Sequence, residues 1–208
     1  GMILYRFAHA VVWSVCKVSF RLKIIGKARV PKRGAFVAAP SHRSYVDTPF
    51  CAFITRRRIR FMGKQELFRN KFAAWLFGAL GAFPVARGTV DRSALREARA
   101  VLERGEPLAI FPEGTRRTGP EIGELFEGAA YLATKAGVPI VPVGIGGSEE
   151  ILARGAKFPR FKRVVVVVGE PMQPPARDAS RVEIAALTER LQRELQALFD
   201  EAQALAHR

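Results

Sequence analysis

The sequence predicts an α/β fold, with a largely parallel central sheet flanked by helices and an amphipathic helix at the N-terminus. Three observations carry that expectation. Short apolar runs alternate with longer segments of helical spacing, the order that buries a parallel sheet between helices. One run, Val164-Val165-Val166-Val167-Val168, is a stretch of valines that reads as a strand covered on both faces. The chain has 208 residues, 49% of them hydrophobic, which is enough for one domain with a real core.

The elements follow in order. Gly1 ahead of Met2 reads as an added residue, so Met2 is taken as the start. Residues 2–25 are expected to form the amphipathic helix, and residues 26–208 the domain. Leu4, Phe7, Val11, Val15, Val18 and Leu22 recur at helical spacing, while Arg6, His9, Trp13, Lys17 and Arg21 gather elsewhere on the helix. The uncharged run between His9 and Lys17 is far short of the roughly 20 residues that span a bilayer. Two placements fit this helix: in a membrane interface, with cations on one face and the apolar stripe in lipid, or packed on the domain. No small-x-small site follows it, so a cleaved signal peptide is not expected.

Strands are expected over 36–39, 59–63, 82–85, 108–111, 140–144 and 164–168, and helices over 48–54, 68–80, 92–104 and 122–136. Gly105 and Gly137 stop the last two helices. A proline-rich connector over 169–179 leads to a final helix. Ser180 and Glu183 form its capping box, and Leu187, Leu191, Leu195, Leu198, Ala202 and Leu205 share one of its faces.

Lysine and arginine number 34 against 19 acidic residues, a formal charge of +15. Such an excess implies a polyanionic partner: nucleic acid, an anionic membrane or a phosphorylated substrate. No helix-turn-helix, RNA-binding signature or aromatic-basic interleaving is present, so a basic nucleic-acid-binding module is the weaker reading. The 2 cysteines, Cys16 and Cys51, sit in no Cys-x-x-Cys or Cys/His cluster, so neither a metal site nor a disulfide framework is expected.

Candidate chemistry centres on Ser41-His42-Arg43-Ser44-Tyr45-Val46-Asp47, directly after the apolar run 35–40. Of the 3 histidines, His42 alone lies away from the chain ends. An imidazole can take a proton from an alcohol at physiological pH. On one helix, two residues five apart lie about 140° from each other, so the chain must turn for Asp47 to meet His42. Ser44 and Asp47 fit a capping box that would supply the turn, with Ser44 as N-cap. Asp47 then points back to the ring and fixes its tautomer.

Two further loops follow buried strands. In Ile110-Phe111-Pro112-Glu113-Gly114-Thr115-Arg116-Arg117 a strand gives way to an acid, a glycine and two guanidinium groups. In Gly81-Ala82-Phe83-Pro84-Val85-Ala86-Arg87-Gly88 a strand again delivers an arginine. Ligands of open parallel sheets bind beyond the carboxyl ends of the strands, where His42, Arg87, Glu113 and Arg116 would converge. A base beside arginines suits a substrate with a hydroxyl to activate and a phosphate to hold, because the guanidinium fork matches phosphate oxygens.

In these blocks the chain resembles the glycerophospholipid acyltransferases, especially the bacterial 1-acylglycerol-3-phosphate (lysophosphatidic acid) acyltransferases. His42-x4-Asp47 looks like the family's first block. Gly81 to Arg87, with Lys64 and Leu67 leading to it, looks like the second. Phe111-Pro112-Glu113-Gly114-Thr115-Arg116 is similar to the third, and Val138-Pro139-Ile140-Val141-Pro142-Val143 resembles the fourth. The chain departs from the family at Ser41, where asparagine is common, and at Ala86, where aspartate is common.

The resemblance implies transfer of a fatty acyl group from acyl-CoA or acyl carrier protein to a glycerol hydroxyl, with the thioester as co-substrate and no other cofactor. His42 would be the base and Asp47 its orienting partner. Arg87, Arg116 and Lys64 would hold the acceptor phosphate, and Glu113, Gly114 and Thr115 would shape the acceptor site. Lysophosphatidic acid, glycerol 3-phosphate and other lysophospholipids all remain open as acceptors. A thioester is already activated, so neither a metal nor an enzyme nucleophile is required. Ser44 is better explained as a cap than as a nucleophile, and no Gly-x-Ser-x-Gly elbow is present.

The basic run Arg56-Arg57-Arg58-Ile59-Arg60 and the cluster Lys157, Arg160, Lys162 and Arg163 fit an anionic bilayer. An enzyme held peripherally or monotopically on the cytoplasmic face of the cell membrane is the expected setting. Residues 72–80, apolar on nearly all sides, fit either the core or the wall of an acyl groove.

Overall fold

A computed structural model describes residues 2–79, 81–85, 92–151 and 160–208. The side chains of residues 2–4, 8, 64, 66, 67, 72, 73, 76, 79, 85, 92 and 93 lie outside that description. The elements run α1 (Met2–Ser19), β1 (Lys23–Ile25), β2 (Val37–Pro40), α2 (Asp47–Ala52), β3 (Arg60–Lys64), α3 (Lys71–Ala79), β4 (Ala82–Val85) and α4 (Arg92–Glu103). There follow β5 (Leu108–Ala109), α5 (Gly128–Ala136), β6 (Ile140–Gly146), β7 (Val165–Val168) and α6 (Arg181–Ala206).

The strands form one 7-stranded sheet in the order β1-β7-β6-β2-β5-β3-β4. Strands β6, β2, β5, β3 and β4 are parallel, β7 joins β6 antiparallel, and β1 pairs with β7 parallel. The central strand is therefore β2, whose buried Val37-Ala38-Ala39-Pro40 alternates between two cores. Val37 and Ala39 face α4, α5 and α6, packing with Leu102, Leu132 and Leu195. Phe36 and Ala38 face α1 and α2, packing with Cys16, Phe50 and Ile54.

Helix α6 lies close against β6 because two strand positions are glycine. A side chain at Gly144 would collide with the Leu198 backbone, and one at Gly146 with the Ala202 backbone. The helix starts where the capping box requires: Ser180 Oγ accepts from the Glu183 N–H, and the Glu183 carboxylate accepts from the Ser180 N–H. Leu187, Leu191, Leu195, Leu198 and Ala202 are buried along it, as their spacing requires.

Several boundaries differ from those the sequence suggests. The helix expected over 2–25 stops at Ser19; Arg21 takes a positive φ of 45°, and Lys23–Ile25 become the edge strand β1. The helix expected over 68–80 is a 3-10 turn, Gln65–Phe68, followed by α3. The strand expected over 108–111 is regular only over Leu108 and Ala109; the Ile110 N–H still bonds the Ala38 carbonyl, and the chain then turns, with the Gly114 N–H bonded to the Phe111 carbonyl. The helix expected over 122–136 begins at Gly128. Ahead of it the Ile122 N–H is held by Gln196 Oε1 and the Phe126 N–H by the Pro112 carbonyl, which keeps 122–127 out of a helix. Strand β6 runs two residues past 144, where the two glycines let it continue beneath α6.

Candidate active site

The chain leaves the carboxyl end of β2 through Ser41, whose N–H donates to the Val143 carbonyl and whose hydroxyl accepts the Ile145 N–H at 2.9 Å. That hydroxyl ties the start of the loop to β6. His42 follows. Its Nδ1 lies 3.1 Å from Asp47 Oδ2, and Asp47 is 0% exposed. A carboxylate oxygen accepts, so Nδ1 carries the proton and Nε2 keeps a free lone pair.

The same Oδ2 also accepts the N–H groups of Arg43 and Ser44, each at 2.6 Å. The turn between His42 and Asp47 is thus made by the aspartate itself. The expected capping box is half formed: Asp47 accepts from the Ser44 N–H, but helix α2 begins at Asp47, so Ser44 is not its N-cap. The buried Ser44 hydroxyl has no hydrogen-bond partner among the described residues.

The His42 peptide is gripped at both ends. Its N–H donates to Glu113 Oε1 at 2.8 Å, and its carbonyl accepts the Arg117 N–H at 2.9 Å. Glu113, fully buried, receives Arg43 Nη1 on its other oxygen at 2.8 Å, while Arg43 Nη2 donates to the Glu121 carbonyl. The Arg43 guanidinium stands 4.6 Å from the centre of the Phe199 ring of α6. Glu113 therefore braces the histidine loop and is turned away from the pocket.

Phe111 packs its ring 4.0 Å from the imidazole at a 32° tilt, fixing the plane of His42. Gly114 has a φ of 64°, and a side chain there would meet the Phe126 ring at 2.6 Å, so only glycine suits the turn beside the histidine. A pocket of about 190 Å³ opens at this edge, lined by His42, Thr48, Phe61, Met62, Phe111 and Gly114 among others. The side chains that line it are apolar except His42 and Thr48.

Arg116 lies exposed at the same edge; its guanidinium stacks 3.5 Å from the centre of the Tyr45 ring, and Nη2 donates to the Tyr45 hydroxyl at 2.8 Å. Thr115 is exposed beside it. Lys64 ends β3 on this edge, with its side chain outside the description. Arg87, two residues past β4, lies outside the described residues, as does Ala86. Of the expected residues the structure brings together His42, Asp47, Glu113, Gly114 and Arg116.

Arg43, Tyr45 and Phe111 belong to the site and were not singled out from the sequence. The position of Arg43 directly after the histidine, in the polar loop that follows the apolar run 35–40, is the available signal. Among the described residues, no His/Cys/Asp/Glu cluster suited to a metal ion occurs, and no helix is long and apolar enough to cross a membrane.

Comparison with known proteins bears on this geometry. The family model described as Acyltransferase matches residues 21–146, which hold the His42 loop, the Glu113 loop and the β6 segment. The 1-acyl-sn-glycerol-3-phosphate acyltransferase of Bacillus subtilis is 28% identical over 198 residues, covering 94% of this chain and 96% of that protein. The enzyme of the same name from Streptococcus pneumoniae is 34% identical over 114 residues, 54% of this chain and 42% of that one. The crystal structure of the 1-acyl-sn-glycerophosphate (LPA) acyltransferase of Thermotoga maritima superimposes with a TM-score of 0.71 at 27% identity, covering 85% of this chain and 71% of that one. With the matched region spanning both loops that build the His42 site, this chain belongs to the acyltransferase family.

Proposed function

We propose that this acyltransferase moves a fatty acyl group from an acyl thioester, acyl-CoA or acyl carrier protein, to the free hydroxyl of 1-acyl-sn-glycerol 3-phosphate, giving phosphatidic acid. The observation that carries the reading is the His42–Asp47 pair: Nδ1 is held by a buried carboxylate, and Nε2 is left to accept a proton at an apolar pocket. His42 takes the proton of the acceptor hydroxyl as its oxygen attacks the thioester carbonyl. A tetrahedral adduct forms, the carbon–sulfur bond breaks, and the thiolate leaves with the proton returned through the imidazole.

Arg116, with Arg87 and Lys64, holds the acceptor phosphate, and the Tyr45 stack keeps the Arg116 guanidinium aimed at the edge. The reaction is placed at an anionic membrane surface, on its cytoplasmic face, because both the acceptor and the product are lipids and the chain carries a formal charge of +15. The expected absence of any cofactor beyond the thioester follows from the same chemistry.

The test is thiol release from a long-chain acyl-CoA on anionic vesicles, with and without lysophosphatidic acid. Release that needs both the acceptor and His42 is expected. Arg116→Ala should raise the KM for the acceptor about tenfold or more while leaving kcat largely intact, the loss of one charge-assisted contact. Release without acceptor, or full turnover in His42→Ala, would overturn the reading.

A further inference from the structure

At the opposite end of the parallel strands, where β3 and β5 begin, a larger cleft of about 910 Å³ opens between α1 and the loops 56–60 and 105–107. Six cations line it: Arg6, Lys27, Arg56, Arg57, Arg58 and Arg60. Glu106 is the one acid lining it among the described residues, and Arg60 and Arg104 share it, at 3.6 and 3.1 Å. Among the described residues, the other polar side-chain contacts of these cations go to neutral carbonyls. Lys27 donates to Phe53, Arg57 to Pro31 and Gly105, and Arg58 to Gly78. Such bonds fix the side chains in place and leave their charge unneutralised.

Burial and like charge act together on the lining groups. Burial pushes Lys27 below its ordinary value, and Arg56 adds to the shift. Burial lowers Arg60 as well, with Arg58 next. A cleft built this way is short of an anion.

Helix α1 indicates where the anion comes from. Its cleft side carries Arg6, His9 and Trp13, while Phe7, Val11, Val15 and Val18 are exposed on the side away from the domain, Phe7 by 68% and Val18 by 80%. A helix with such a stripe lies in the plane of a lipid interface, and cations on its flank then sit at the depth of the headgroup phosphates. Trp13, with Lys27 5.3 Å over its ring, suits the same depth.

We propose that this cleft binds the phosphate headgroup of an anionic bilayer phospholipid, a lipid separate from the acceptor at the His42 edge. The site holds the amino end of the sheet to the bilayer, and its occupancy is read by vesicle binding, independently of turnover and therefore of the proposed reaction. Cations near a membrane contribute about 1 kcal/mol each, so removing two corresponds to roughly a 30-fold loss of partitioning.

The experiment compares two variants with the same change of charge on vesicles of phosphatidylcholine with and without phosphatidylglycerol. Arg6→Gln/Arg56→Gln removes two exposed cleft cations. Arg190→Gln/Arg193→Gln removes two exposed cations of α6, on the face of the sheet away from α1 and outside the cleft. The first should lose partitioning onto the anionic vesicles by roughly 30-fold and the second by less than about 3-fold, with both keeping wild-type turnover in detergent micelles. Equal losses would mean diffuse attraction without a site, and no loss in the first would mean that the cleft takes no headgroup; either overturns the proposal. Thermal stabilisation by inorganic phosphate in a wild-type protein that ignores anionic vesicles would assign the cleft to a soluble anion and also overturn it.

Discussion

The His42 ring is fixed from three directions: the Asp47 carboxylate holds Nδ1, Phe111 covers one face, and Glu113 with Arg117 holds the peptide that carries it. Asp47→Asn keeps the shape, and its amide oxygen, held by the Arg43 and Ser44 N–H groups, still accepts from Nδ1, but the charge that stabilises the imidazolium is lost. It should lower kcat by about a hundredfold or more with little change in KM, measured by steady-state thiol release. Glu113→Gln acts differently, because it strips the Arg43 guanidinium, 1% exposed, of its counter-charge. A loss of about 3–5 kcal/mol in denaturant unfolding is expected, with kcat falling as the loop loosens. Cys51, fully buried, has its thiol pushed up by burial and then by the nearby Asp47, so it should resist alkylation until the protein unfolds. Mass spectrometry after labelling with and without denaturant checks this. The pairing of His42 with Asp47 was legible from spacing and residue type. The work of Glu113 was not, since a buried acid and a site-lining acid look alike until the fold sets which way the side chain points.

Among the elements, α1 and α6 show opposite degrees of attachment. Helix α6 is sunk into the sheet at Gly144 and Gly146, and Gly144→Ala would force it outward. A cost of about 1–3 kcal/mol in thermal or denaturant unfolding is expected, as for other overpacked cores. Helix α1 is held along one side only: the Tyr5 hydroxyl donates to the Arg57 carbonyl, His9 meets the Ala52 carbonyl, Trp13 packs against Phe53 and Cys16 enters the core. Burial pushes His9 below the ordinary imidazole value of 6.5; the Ala52 carbonyl opposes the shift, and Lys27 and Arg56 add to it. The unfolded chain therefore binds the proton at higher pH than the folded one. The contribution of His9 to stability is full above the ordinary value and is lost as the pH falls below it. His207, raised by the Gln203 carbonyl and then Glu150, acts in the opposite sense, so the check is a difference: between pH 7.5 and 5.5 the thermal midpoint of His9→Gln should fall less than that of the wild type. Helical spacing made both helices legible, together with the stripe and capping box of α6. It carried α1 too far, because 23–25 continue the apolar run while pairing as a strand, and three residues are too few for a period to declare itself.

In the whole molecule, the alternation of apolar runs and helical segments was enough to read the parallel sheet and the edge at which the loops meet. The antiparallel entry of β7 was not readable, since five valines suit either direction. Nor was the division of the basic run, which sends Arg57, Arg58 and Arg60 into one cleft rather than over an open surface. The clamp on the His42 peptide has a consequence for how this architecture tolerates exchange. Residues 42–47 and 113–123 are distant in the chain, yet a glutamate and a backbone amide of the second hold the peptide of the first, and an arginine of the first is held by the second. They behave as one mechanical part cut from two lengths of chain. A graft that transplants either loop alone from a distant relative should yield a folded but slack catalyst, whereas moving the two together should carry the donor's chemistry across intact.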